Sequence, residues 1–99
     1  MFDLAAMLAD DIENDIRDER RRQDEKWGDQ SGHPNALWMT ILIEEIGEAA
    51  QDVLRATGLA RGPERSGHEA HLRMELVQSA AVIKAWVEAI DKHAAASDV

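Results

Sequence analysis

Two glycine- and proline-bearing breaks, residues 28–34 and 58–67, cut this 99-residue sequence into three segments, each long enough for a helix of several turns. Strand signals are absent, with no Tyr, one Phe and little apolar–polar alternation. Apolar residues instead recur at steps of three and four. The expected fold is all-α, a single domain over residues 1–99 with three main helices antiparallel to their chain neighbours. A chain this short hides only about 60 to 65% of its extended surface. We therefore expect a homodimer or homotetramer whose second copy completes a four-helix-type bundle, the alternative being an open bundle held within one copy.

The first segment runs from about Asp3 to Trp27, where Leu4, Leu8, Ile12 and Ile16 draw one apolar stripe. Continued, that stripe reaches Glu19, Gln23 and Trp27, so its second half is polar on the face expected to point inward, unless the helix leaves the core there. The second segment starts near Pro34 or Asn35, with Asn35 as a possible cap, and stops at Thr57-Gly58. Trp38, Ile41, Leu42, Glu45, Glu48, Ala49 and Asp52 share its inward face. The third opens on Ser66-Gly67-His68-Glu69, which fits a capping box. Leu72, Glu75, Leu76, Ser79, Ala80, Val82, Ile83, Trp86, Val87 and Ile90 form its expected buried face, and Ala94-Ala95-Ala96 is expected to fray.

The charge balance removes several function classes. Twenty acids against 11 bases give a net charge of −9, a field that repels nucleic-acid backbones, so no stable nucleic-acid binding is expected. Without cysteine there is neither a disulfide framework nor a thiolate site. No apolar run approaches bilayer length, and MFDLAAMLADDIEND is acidic where a secretory leader is basic. A cytoplasmic protein without membrane contact is the expectation.

Within the inward stripes, Glu45 and Glu48 are i,i+3, which stacks their carboxylates on one face. Glu44 adds a like charge at i,i+4 to Glu48, an arrangement that weakens a helix unless a cation compensates. Glu75 sits between Leu72 and Leu76, and Gln78 follows at i+3. If helices two and three pack antiparallel, Glu45, Glu48, Glu75 and Gln78 converge into an oxygen-rich set suited to magnesium or manganese. The other reading is a solvated, charge-rich helix face. Asp52, four residues beyond Glu48, reads as a further ligand, an aid to a general base or the surface end of the stripe. A di-iron bundle needs Glu-x-x-His steps, and none of His33, His68, His71 or His93 supplies one. His68 and His71 are i,i+3 and offer a zinc-type pair, yet near a helix start they read as solvated surface residues.

Glu44-Glu45-Ile46-Gly47-Glu48 resembles the Glu-Glu-x-x-Glu element of the MazG-like all-α nucleoside triphosphate pyrophosphohydrolases. Glu75-Leu76-Val77-Gln78 stands where that family has Glu-x-x-Asp, and the segment from Glu19 to Gly28, with His33, Trp38 and the run from Glu75 to Trp86, extends the likeness over about 70 residues. The resemblance implies a helical core that dimerises or tetramerises and cleaves a nucleoside triphosphate to monophosphate and pyrophosphate with magnesium. It implies Glu45, Glu48 and Glu75 as ligands, and Glu44 or Glu48 as the group that orients or deprotonates water. Gln78 departs from the pattern, since an amide offers a carbonyl oxygen but no charge and no base. Arg20, Lys26 and Lys84, with Arg21 and Arg73, are the candidates for gripping polyphosphate. Trp27 and Trp38 are candidates for stacking on a base, Gln23, His33 or Asn35 for reading its edge, and Asp52 borders the same face. The alternative is a catalytically lapsed helical interaction or nucleotide-binding protein that keeps the scaffold.

Overall fold

The computed structural model describes residues 2–56 and 68–97, the side chains of Ala56 and His68 excepted. They form three helices and no strand: α1 (Leu4–Trp27), α2 (Asn35–Ala56) and α3 (His68–Ser97). None of these helices is long and apolar enough to cross a membrane.

Local chemistry sets most of the ends. Asp3 caps α1, its Oδ1 accepting the Ala6 N–H at 3.1 Å. Gly28, at φ 73°, closes the helix by donating its N–H to the Asp24 carbonyl at 2.8 Å. That positive φ suits a residue without a Cβ. The Asp29 carboxylate then accepts the Ser31 N–H at 2.9 Å, and the Pro34 carbonyl accepts the N–H groups of Leu37 and Trp38 to open α2. Asn35 does not cap this helix; its Oδ1 accepts the indole N–H of Trp86 at 2.9 Å and ties the start of α2 to α3. Ser66 and Gly67 of the expected capping box lie outside the described residues. At the other end Ala94-Ala95-Ala96 stays helical as far as Ser97 rather than fraying. Alanine is the strongest helix former, and Ser97 Oγ donates to the His93 carbonyl at 3.0 Å. Replacing Asp3 by alanine should cost about 1 kcal/mol through the lost cap, read as a lower urea midpoint with an unchanged slope.

α3 is the central element, packed against both other helices, whose backbones do not approach each other. α2 and α3 run antiparallel, because Asn35 meets Trp86 near one end and Asp52 meets His71 near the other. α1 crosses α3 in the same sense as α3 itself, with Asp15 on Arg73 at 2.7 Å and Asp29 on Lys92 at 3.4 Å. The core is small: Trp38, Val82, Ala85 and Ala89, with Ile41, Leu42 and Trp86 packed against it.

Two expected burial patterns change. On α1 the apolar half is the exposed one: Leu4, Leu8 and Ile12 face solvent, while the polar half is drawn in and Gln23 is buried. The expected wide face of α3 splits. Glu75, Ser79 and Val82 are buried together with Ala81, Ala85 and Ala89, whereas Leu76, Ile83, Val87 and Ile90 are each about half exposed. The cause is geometric: among the described residues α3 has two neighbouring helices, and both approach over its alanines, which admit close backbones. The accessible surface is 7311 Å², against roughly 5,600 Å² for a compact monomer of this mass. The radius of gyration is 16.5 Å, against about 13 Å expected.

Candidate metal centre

The antiparallel register of α2 and α3 builds the site. Asp52 on α2 faces His71 on α3, and one turn along, Glu48 faces Glu75. Steps of four residues on both helices keep the pairs on the same line of contact. Glu45, Glu48 and Glu75 each bring a carboxylate oxygen within 4.8 Å of the others. The three differ in access: Glu75 is 5% exposed, Glu45 is half-buried and Glu48 is open to solvent.

These carboxylates are incompletely partnered. Glu45 Oε2 and Glu75 Oε2 are both buried without a hydrogen-bond donor, an arrangement that leaves each paying the full desolvation penalty. Burial pushes the Glu75 carboxyl up to about 7, reinforced by a shared hydrogen bond with Glu48 and by the charges of Glu48 and Glu45, with His71 opposing. Glu45 is raised too, first by burial and then by Glu48 and Glu19, against which Arg22 pulls it down. Burial and like charge thus raise Glu45 and Glu75 above the ordinary carboxylate value, and a divalent ion is a group that would satisfy the three carboxylates together.

A second group adjoins the first. Asp52 is 2% exposed; its Oδ2 lies 2.6 Å from His71 Nδ1, and its Oδ1 lies 3.7 Å from Arg55. The Asp52 hydrogen bond, then its charge, raises the His71 pKa above the usual histidine range. His71 Nε2 lies 3.7 Å from Glu75 Oε1, so Glu75 belongs to both groups.

The remaining expected site residues are spread more widely. Glu44 is exposed beside Glu45. Gln78 is half-buried, and its backbone carbonyl accepts Gln23 Nε2 at 3.4 Å, which locks Gln23 between Gln78 and Glu19. Arg20 is held by Asp24 at 2.8 Å and Glu88 at 2.7 Å, so an incoming phosphate must displace both. Lys26 lies 4.8 Å from the ring centre of Trp27, which is 61% exposed and open to stacking. Trp38 is a core residue at 2% exposure, its ring edge-on to His33 with centroids 5.3 Å apart. Lys84 is exposed on α3. Arg20 and Trp38 also line a cleft of about 390 Å³ with Gly28, Ser31 and Lys92, and none of the three clustered glutamates reaches it.

Two contributors escaped the sequence reading. Glu19 reaches Glu45 electrostatically from α1, which required knowing how α1 crosses α3. His71 is exposed, as expected of a residue near a helix start; its contact with Asp52 is the new element, and a signal for it existed, since the His71–Glu75 step on α3 mirrors the Glu48–Asp52 step on α2 once the two helices are set antiparallel.

Fold and site together define a three-helix protein in which Glu45, Glu48 and Glu75 cluster closely enough to be candidates for holding a cation. Compared with protein families, with curated proteins and with solved structures, the chain shows no match.

Proposed function

We propose that the protein is a magnesium-dependent nucleoside triphosphate pyrophosphohydrolase of the MazG-like kind, releasing nucleoside monophosphate and pyrophosphate. The observation that carries this reading is the pair of buried, donorless oxygens on Glu45 and Glu75 beside the open Glu48 carboxylate. That set fits Mg²⁺ or Mn²⁺, which take oxygen ligands and leave positions for water and phosphate. When bound, the cation supplies charge neutralisation for the phosphoryl oxygens. Glu45 and Glu75 would hold it with their buried carboxylates, and Glu48 would add its exposed one. Glu44, exposed next to Glu45, is placed to take the proton of the attacking water. Arg22 on α1 is a cation whose charge reaches Glu45; Arg20 and Lys26 on the same helix are the candidates for gripping the rest of the triphosphate, and the exposed Trp27 offers a face for the base.

A second copy completes the fold in this reading. Met39, Ile43, Ile46 and Val53 form an exposed stripe on α2, and Leu76, Ile83, Val87 and Ile90 form one on α3. At about 100° per residue, each stripe lies roughly a quarter turn from the line of α2–α3 contact. In an antiparallel pair such stripes point to the same side. The result is one continuous apolar face, too large for a lone monomer, onto which the same face of another copy packs as a four-helix bundle.

Gln78 favours a second reading, a catalytically lapsed nucleotide-binding or interaction protein, because it contributes neither charge nor base at the position where the resembled family has aspartate. Phosphate-species chromatography separates the two readings, using a panel of ribo- and deoxyribonucleoside triphosphates with and without magnesium. Magnesium-dependent monophosphate and pyrophosphate, absent in Glu48→Gln, are expected for the enzyme. Turnover only in Gln78→Asp marks a lapsed site, and none in either protein, with no magnesium-dependent nucleotide binding, removes the assignment.

A further inference from the structure

Asp52 and His71 present chemistry that an oxygen-only magnesium site does not use. A carboxylate that is 2% exposed is held against one imidazole nitrogen at 2.6 Å, which leaves the other nitrogen directed to Glu75 Oε1 at 3.7 Å. Metal-binding histidines are typically set in this way, one ring nitrogen fixed by a carboxylate and the other turned to the cation. Glu75, which faces that nitrogen through Oε1, is 5% exposed with its Oε2 buried and donorless, so the carboxylate that would share the cation is itself short of a partner. His71 Nε2 and Glu75 Oε1, 3.7 Å apart, are then the two atoms that a cation at about 2.1 Å from nitrogen and oxygen can bridge with small side-chain shifts, while Asp52 fixes the ring from its other side.

We propose that His71 and Glu75, with Asp52 fixing the imidazole, form a second cation seat, of mixed nitrogen and carboxylate character, which takes a first-row transition ion such as Mn²⁺, Co²⁺ or Zn²⁺ in preference to Mg²⁺. Imidazole suits these ions, whereas Mg²⁺ favours oxygen and keeps much of its water. The seat lies one helical turn from Glu48, on the opposite side of Glu75 from Glu45, so Glu75 bridges the two positions. It also bears on Gln78. A centre that lacks the charge of an aspartate at 78 gains a nitrogen at 71 instead, its ring held by the buried carboxylate at 52, and a two-cation arrangement becomes accessible from the other end of the cluster. The inference shares Glu75 with the proposed magnesium site but rests on the Asp52–His71 pair, and holds whether or not the protein turns over nucleotides.

The test is titration of the full-length chain with Co²⁺, Zn²⁺ and Mg²⁺ at mildly alkaline pH, where the ligating imidazole is neutral. Isothermal calorimetry reads affinity and number, and nitrogen–proton spectra of the histidine rings show which imidazole is ligated. His71 is half exposed, so His71→Ala is expected to fold as the parent does, checked by circular dichroism. The parent should bind Co²⁺ with a perturbed His71 ring. His71→Ala should bind it at least about 10-fold more weakly, the scale of losing a ligand or its support, with Mg²⁺ affinity kept. Glu48→Gln should lose Mg²⁺ affinity and keep the perturbed His71 ring. Equal Co²⁺ affinity and number in parent and His71→Ala, or Co²⁺ binding that leaves the His71 ring unmoved, overturns the seat. Ligation at His71 without magnesium-dependent turnover upholds the seat while the pyrophosphohydrolase reading falls. Turnover without ligation at His71 does the reverse.

Discussion

Replacing Glu75 by glutamine is expected to raise the thermal midpoint of the metal-free protein at pH 8 while removing its stabilisation by magnesium. Glu75 carries a folded-state pKa of about 7 against an ordinary value of 4.5. An acid whose pKa is raised by folding contributes stability that is complete below its unfolded value and is lost as pH rises through the folded one. The metal-free parent should therefore weaken between about pH 4.5 and pH 7, and His71, whose pKa is also raised, pulls in the same direction. Glutamine is close to isosteric, carries no charge to desolvate, and offers its own N–H groups to Glu48. After allowing for screening by the open side of the cluster, the gain is on the order of 1 kcal/mol, or roughly 4–8 °C for a domain of this size. The difference should vanish near pH 4, where the parent carboxyl is already protonated. Magnesium at about 100 times its dissociation constant adds roughly 2.7 kcal/mol to a protein that binds it, and that increment should be absent from the variant. Differential scanning calorimetry at several pH values, with and without magnesium, reads both effects. A variant that melts below the parent at pH 8 and still responds to magnesium would mean that Glu75 is a structural acid and not a ligand.

A charge placed on each apolar stripe, Ile43→Glu with Ile83→Glu, should convert a dimer into a monomer with a midpoint lowered by more than about 10 °C at equal concentration. Ile43 is 61% and Ile83 47% exposed in the single copy, so neither replacement disturbs the core around Trp38. Any large effect must then arise between copies. Burying an Ile side chain contributes about 1.5–3 kcal/mol, twofold symmetry counts each position twice, and an unpaired glutamate in the interface adds a desolvation penalty. Light scattering coupled to size exclusion should give the parent twice its 11.0 kDa chain mass and the variant once. The parent midpoint should rise with protein concentration, as for any obligate assembly. A parent that elutes as a monomer throughout the micromolar range defeats the bundle-completion reading.

The way these residues came to be recognisable, or missed, follows from how far each signal extends along the chain. The three helices, their approximate ends and the inward face of α2 were set by local rules: glycine and proline breaks, an Asp3 cap, and the spacing of Trp38, Ile41, Leu42, Ala49 and Asp52, all of which are buried or half-buried. The Glu45–Glu48–Glu75 cluster was likewise readable, since i,i+3 spacing on α2 and a single antiparallel partner suffice to bring the three together. The faces of α1 and α3 were not. Apolar periodicity states that a stripe wants to leave water but not whether its partner lies in the same chain. Leu4, Leu8, Ile12, Ile83 and Val87 therefore look identical in sequence to core residues while remaining exposed in one copy.

What the sequence by itself determined is the helical class, the segment boundaries and the acidic line along α2, because each depends on contacts within a few residues. Only the tertiary structure decided that α1 buries its polar half, that Glu75 is buried with one oxygen left donorless, and that the half-exposed His71 stands against Asp52. Those facts depend on which helix crosses which and at what register. Helical period fixes the direction of a side chain about its own axis, whereas its burial and its charge neighbours are supplied by another helix.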